Sequence, residues 1–164
     1  MTTNVQVRKA NLKDAETIAN FVNRAHPEAK VTRLSVAERF SQVGFMLAEH
    51  EGEVVGLLGF QVENLVIRVT DFLIAPAVDR VVAGKALVPA MEEAGADLQV
   101  EAAILFLPPD PSQDLVEYWK SFGYERRAIA DMHRAWREAA AEWDATKEEV
   151  MVKLLREDVT RKPM

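Results

Sequence analysis

The sequence predicts a single α/β (α+β) domain over residues 1–164, in which about seven strands alternate with helices. Three observations carry that reading. Short β-branched runs recur along the chain, separated by longer stretches whose apolar residues repeat at helical spacing. Helix-start signals, a capping residue followed three places later by an acid or amide, precede several of those stretches. No internal repeat, low-complexity tract or linker rich in Pro, Gly or Ser divides the chain.

The elements follow in order. Val5 and Val7 alternate with Gln6 and Arg8 as in a half-buried strand. Asn11 and Asp14 then form a capping-box-like start for a helix carrying Ile18, Phe21, Val22 and Ala25, which Pro27 stops. Ser35 and Glu38 match a capping box and predict a short second helix running to Gly44. Phe45 to Ala48 and Val54 to Val62 read as a hairpin turning at Gly52. Val66 to Ile74 is apolar on both faces, as a central strand is, and Pro76 ends it. Arg80 to Gln99 is helical in pattern, although Pro89 inside it leaves the start open. Ala102 to Leu107 is a buried strand. Asp110-Pro111-Ser112-Gln113 then predicts a helix capped by Asp110 that buries Leu115, Val116, Trp119 and Phe122 and ends at Gly123. Tyr124 begins a strand, a helix covers about 129–144, and Val150 to Leu155 is the last strand.

Composition excludes several functions. The chain has no cysteine, so disulfides, thiolate metal sites and a Cys nucleophile are absent, and a cytoplasmic setting is the natural reading. No stretch approaches the roughly 18 apolar residues of a membrane span. The net charge is −6, with basic residues scattered as pairs (Arg8-Lys9, Arg126-Arg127, Arg161-Lys162), a pattern that argues against nucleic acid as a partner. His26, His50 and His133 lack a second ligand at metal spacing, which argues against a metal site. Neither a Gly-Lys-Ser/Thr phosphate loop nor a Gly-x-Ser-x-Gly elbow occurs.

Five local stretches appear in order: Val7 to Ala10 followed by Lys13-Asp-Ala15 and Ile18, Glu51 to Gly56, Ile74-Ala-Pro76, Trp119 to Tyr124, and Val150 to Leu154. Together with the element order they resemble the GNAT superfamily of acyl-CoA-dependent N-acyltransferases over nearly the whole chain. That resemblance implies a mixed central sheet flanked by helices; the helix before the last strand is extra, standing where the family usually has only a turn. It also implies acetyl-CoA as cosubstrate, no metal, and direct attack by a small-molecule or peptide amine. A catalytically silent GNAT-like module that binds a ligand or a partner chain is the second reading. The Trp136 and Trp143 stripe of the inserted helix suits a sheet cover, a homodimer contact or a lid over the acyl pocket.

Members of the superfamily cradle the cofactor pyrophosphate on backbone N–H groups of a loop that opens a helix. Their usual pattern is Arg or Gln, two residues, Gly, one residue, then Gly or Ala. Arg80-Val-Val-Ala-Gly-Lys-Ala86 admits two registers. Anchored on Arg80, the small places fall on Ala83 and Lys85; anchored on Gly84 and Ala86, the arginine is one place early. Val81 and Val82 add bulk, Asp79 adds negative charge, and Lys85 is either a charge partner or a solvated side chain. The resemblance further implies that the backbone of Leu73, Ile74 and Ala75 meets the pantetheine arm where the fifth strand splays away, and that Ser112 and Trp119 complete the cofactor-binding set. Tyr118 lies five places before Gly123, where a general-acid tyrosine often stands. The commoner place, four before, holds Trp119, whose indole cannot serve. Tyr118 is therefore either the acid or a core tyrosine. Asp71, ionisable within an apolar strand, is either a base or amine-orienting group or a hydrogen-bonded strand aspartate.

Overall fold

The computed structural model describes residues 4–156. Its elements are β1 (Gln6–Lys9), α1 (Ala15–Ala25), α2 (Arg33–Arg39), β2 (Gly44–His50), β3 (Glu53–Glu63), β4 (Val66–Ile74), α3 (Arg80–Asp97), β5 (Ala102–Phe106), α4 (Gln113–Lys120), β6 (Glu125–Ala128), α5 (Arg134–Asp144) and β7 (Glu149–Leu154). The strands form a seven-stranded sheet in the order β1-β2-β3-β4-β5-β7-β6. β4 and β5 run parallel, while β1–β2, β2–β3, β5–β7 and β6–β7 are antiparallel, so the sheet is mixed. The inserted helix is α5. The Arg161-Lys162 pair lies outside the described residues.

Two compact units divide the chain: Met1–Gln61 with Thr70–Met91, and Val62–Val69 with Glu92–Met164. In the first, Ala15, Ile18, Ala19 and Phe21 of α1 and Val36 of α2 pack on Phe45, Leu47, Val54 and Leu57. Period two in the strands and period 3.6 in the helix put these residues on facing surfaces. The β2–β3 hairpin turns on Glu51 and Gly52, at φ 51° and 81°, with His50 paired to Glu53. Positive φ at both turn residues is the two-residue geometry that matches strand twist, and glycine adopts it without strain.

In the second unit, Trp136, Ala139 and Ala140 of α5 cover Val66, Ala102, Ile104, Val150 and Val152. Trp136 Nε1 donates to Glu101 Oε1 at 3.0 Å, which satisfies the indole as it is buried. Trp143 packs, partly buried, against the same cluster. Both tryptophans of the stripe therefore lie against the sheet.

Two helix starts differ from the sequence expectation, and the start left open, that of α3, is at Arg80. α2 begins on Thr32 rather than Ser35: Thr32 Oγ1 accepts from Ser35 N at 3.0 Å, and Ser35 Oγ accepts from Thr32 N at 3.1 Å. Ser35 is thus the third-position partner of the box, and the helix stops at Arg39 instead of reaching Gly44. α4 is capped by Ser112, not Asp110, because Asp110 adopts φ 57° and makes the turn, leaving Ser112 Oγ to accept from Leu115 N at 3.1 Å. α3 runs through Pro89, which is exposed. Proline there removes one intrahelical bond but keeps its ring in solvent, and the helix continues.

Candidate functional site

The candidate residues fall into two groups, one in each unit. β4 supplies the first. It pairs with β5 at Val66–Ala102, Ile67–Ala103 and Arg68–Ile104, and the register ends there. Leu73, Ile74 and Ala75 lie five or more residues past that pairing. Ala75 N donates to Val55 O at 2.8 Å, so this end of β4 is held from the β3 side. A cavity of about 520 Å³ opens beside it, lined by Arg24, His26, Glu53, Val55, Leu73 and Ala75, among others.

Asp71 is three residues before the end of β4 and is firmly engaged. Arg39 of α2 donates to both carboxylate oxygens, at 2.7 and 3.2 Å, and Thr70 Oγ1 donates to Oδ2 at 2.6 Å. The same guanidinium lies 5.2 Å from the centroid of the Phe45 ring. A bidentate arginine fork fixes a carboxylate in orientation as well as charge. Sequence reasoning singled out Asp71 but missed Arg39, because a residue 32 places away on a helix leaves no local signal in the strand.

α3 opens directly after the β4 loop. Its cap is Asp79, whose Oδ1 accepts from Val81 N at 2.8 Å and Val82 N at 3.1 Å, while Ala83 N donates to Asp79 O at 3.1 Å. Three successive amides therefore end on one residue. Ala83 is fully buried, Gly84 is buried, Ala86 is half-buried, and Arg80 and Lys85 are exposed.

The second group is on α4 and the segment after it. Trp119 is 2% exposed, with its ring 5.2 Å from Tyr124, 5.9 Å from Phe122 and 6.1 Å from Tyr118. It is a core residue. Tyr118 is half-buried and meets Phe122 edge-on at 4.9 Å. Ser112 is exposed and caps α4. Sequence reasoning missed the polar cluster beneath these rings. Tyr124 donates its hydroxyl to Glu92 Oε2 at 2.8 Å, and Lys153 Nζ donates to Glu92 Oε1 and Phe122 O, both at 3.1 Å. Burial, and then the Glu92 charge, push the Tyr124 phenol well above its ordinary value, so it remains a hydrogen-bond donor.

A family model for the acetyltransferase (GNAT) family matches residues 11–124, more than half of the chain. The chain belongs to the GNAT acetyltransferase family. Solved structures agree with that fold. An N-acetylglutamate synthase from Neisseria gonorrhoeae, in complex with coenzyme A and N-acetyl-glutamate, is 14% identical with a TM-score of 0.68; the alignment covers 95% of this chain and 36% of the synthase. This chain thus spans about a third of that protein's length. A GNAT-family acetyltransferase from Staphylococcus aureus Mu50 is 13% identical, TM-score 0.69, covering 93% and 100% of the two chains. The PaiA N-acetyltransferase from Thermoplasma acidophilum, in complex with coenzyme A, is 14% identical, TM-score 0.61, covering 92% and 99%. No curated protein matches the chain in sequence.

The GNAT cofactor pattern also admits a third register on this segment. Ending the pattern on Gly84 puts Val82 at the first small place and Asp79 where Arg or Gln usually stands. The first-turn amides of α3 are a donor set that fits an anion, and the end of β4 beyond Arg68 fits an extended arm. The anion on those amides is Asp79's own carboxylate. Among the described residues no cluster of His, Cys, Asp or Glu is arranged to hold a metal, and no helix is long and apolar enough to cross a membrane.

Proposed function

We propose that this chain is an N-acyltransferase that transfers an acyl group, acetyl first among them, from acyl-CoA to a primary amine, acting as one cytoplasmic domain. The observation that carries the reading is the short β4–β5 register, which stops at Arg68 and leaves the Leu73–Ala75 backbone past the pairing. Family membership and the coenzyme A in related folds support it. Acyl-CoA, when bound, supplies the activated thioester.

The chain's own residues supply positioning. Backbone groups of Leu73, Ile74 and Ala75 orient the arm, and the amides of Val81 and Val82, with Lys85 nearby in sequence, take the phosphate charge. Asp71, held by Arg39, orients the amine or accepts its proton. Tyr118 donates a proton to the departing thiolate as the carbon–sulfur bond breaks and the carbon–nitrogen bond forms. This role comes to Tyr118 from its place in the motif. Ser112 and Trp119 act through α4: one caps the helix and the other packs its core face.

Acetyl transfer to a panel of primary amines tests the proposal, with Tyr118→Phe as the partner variant. The reading expects thiol release that depends on amine, and a kcat lower by about 10²-fold in Tyr118→Phe with KM little changed. No amine-dependent thiol release across the panel, from a protein that binds acetyl-CoA, would favour the silent module instead.

A further inference from the structure

We propose that Asp79 is a built-in competitor of the cofactor pyrophosphate, so that acyl-CoA binds only as the Asp79 carboxylate leaves the start of α3. The inference rests on the acyl-CoA reading above. Two N–H groups of the first turn, Val81 and Val82, converge on Asp79 Oδ1 at 2.8 and 3.1 Å. The next amide, that of Ala83, is committed to Asp79 O within the helix. The helix dipole and its unpaired amides are what make a helix start attractive to a phosphate. Here a covalently tethered anion satisfies two of them, so an incoming phosphate must displace an intramolecular competitor.

Charge reinforces the effect. A carboxylate left at the mouth of the site faces a doubly charged pyrophosphate, and like charges brought together without a cation between them repel. Asp79 is exposed, so its side chain can swing into water once a stronger anion takes the amides. Val82, at the first small place of the pattern, carries a branched side chain where the family usually has glycine. The consequence is weak cofactor affinity set by one residue that touches the phosphates' own donors.

Calorimetric titration of coenzyme A and of pantetheine, which lacks the pyrophosphate, into the unmodified chain and into Asp79→Ser and Asp79→Gly separates the outcomes. Serine keeps a cap without charge, and glycine at a cap is tolerated, so both variants retain α3; urea unfolding checks this. The expected result is coenzyme A binding tighter by about tenfold or more in both variants, with pantetheine unchanged. Equal coenzyme A affinity in all three proteins overturns the inference and leaves the acyl-CoA reading standing, as does a gain that pantetheine shares. Absence of binding to all three proteins, while each is folded, overturns both.

Discussion

A Cβ at Gly59 would meet Asp71 Oδ2 and come within 2.7 Å of Thr70 Oγ1, so the Asp71 and Thr70 side chains would have to shift to admit it. The Asp71–Arg39 fork therefore depends on a residue one strand away that carries no functional group. Gly59→Ala is expected to push Asp71 off its arginine and lower stability by about 1–3 kcal/mol, read as an earlier urea midpoint with an unchanged slope. An unchanged midpoint would show that the carboxylate gives way freely. Trp119 makes the opposite point. At 2% exposure among three aromatic rings it packs and does not react. Trp119→Tyr is expected to cost about 1–3 kcal/mol and to leave acetyl-transfer rate without a tenfold gain. A rate rising tenfold in that variant would place the acid at residue 119 after all.

At the scale of the element, the chain's helix starts show what local sequence can and cannot specify. Asn11 and Asp14 were legible as a box, and it closes the 3-10 turn Leu12–Asp14 that leads into α1, with Asn11 N donating to Asp14 Oδ2 at 2.8 Å and Lys13 N to Asn11 Oδ1 at 3.0 Å. Ser35 and Asp110 misled because each has another capping residue within three places, and backbone conformation decides between them: Asp110 turns left-handed and Thr32 stays extended. Asp14 also takes a bidentate fork from Arg8, at 2.7 and 2.9 Å, while Arg8 Nε donates to Glu49. The Arg8 hydrogen bonds hold the Asp14 carboxyl below its ordinary range. A depressed carboxylate stabilises the fold above its unfolded pKa, and that contribution is lost as pH falls from about 4 through the lower folded value. Stability of the unmodified chain is expected to drop over that window, and Asp14→Asn to flatten the drop while lowering neutral-pH stability by about 1 kcal/mol, a figure kept small for solvent screening. Parallel acid limbs in the two proteins would contradict the assignment.

On the scale of the molecule, the order of elements along the chain and the extra helix were legible because period-two and period-3.6 patterns are local, whereas the sheet order β1-β2-β3-β4-β5-β7-β6 joins strands far apart in sequence and was not. The cofactor loop was less so. Asp79 was legible as a negative charge beside the loop but not as the cap of α3, a role that appears only when the helix start is fixed by its hydrogen bonds from Val81 and Val82. Arg39 and the Glu92–Lys153 pair were invisible for a related reason: each meets its partner across 32 to 61 residues of chain. The claim on which the functional account depends is that the end of β4 and the start of α3 hold acyl-CoA. Calorimetric titration of acetyl-CoA into the unmodified chain tests it most directly. The account predicts saturable one-to-one binding that tightens in Asp79→Ser; a folded protein that gives no binding heat at millimolar acetyl-CoA would contradict it.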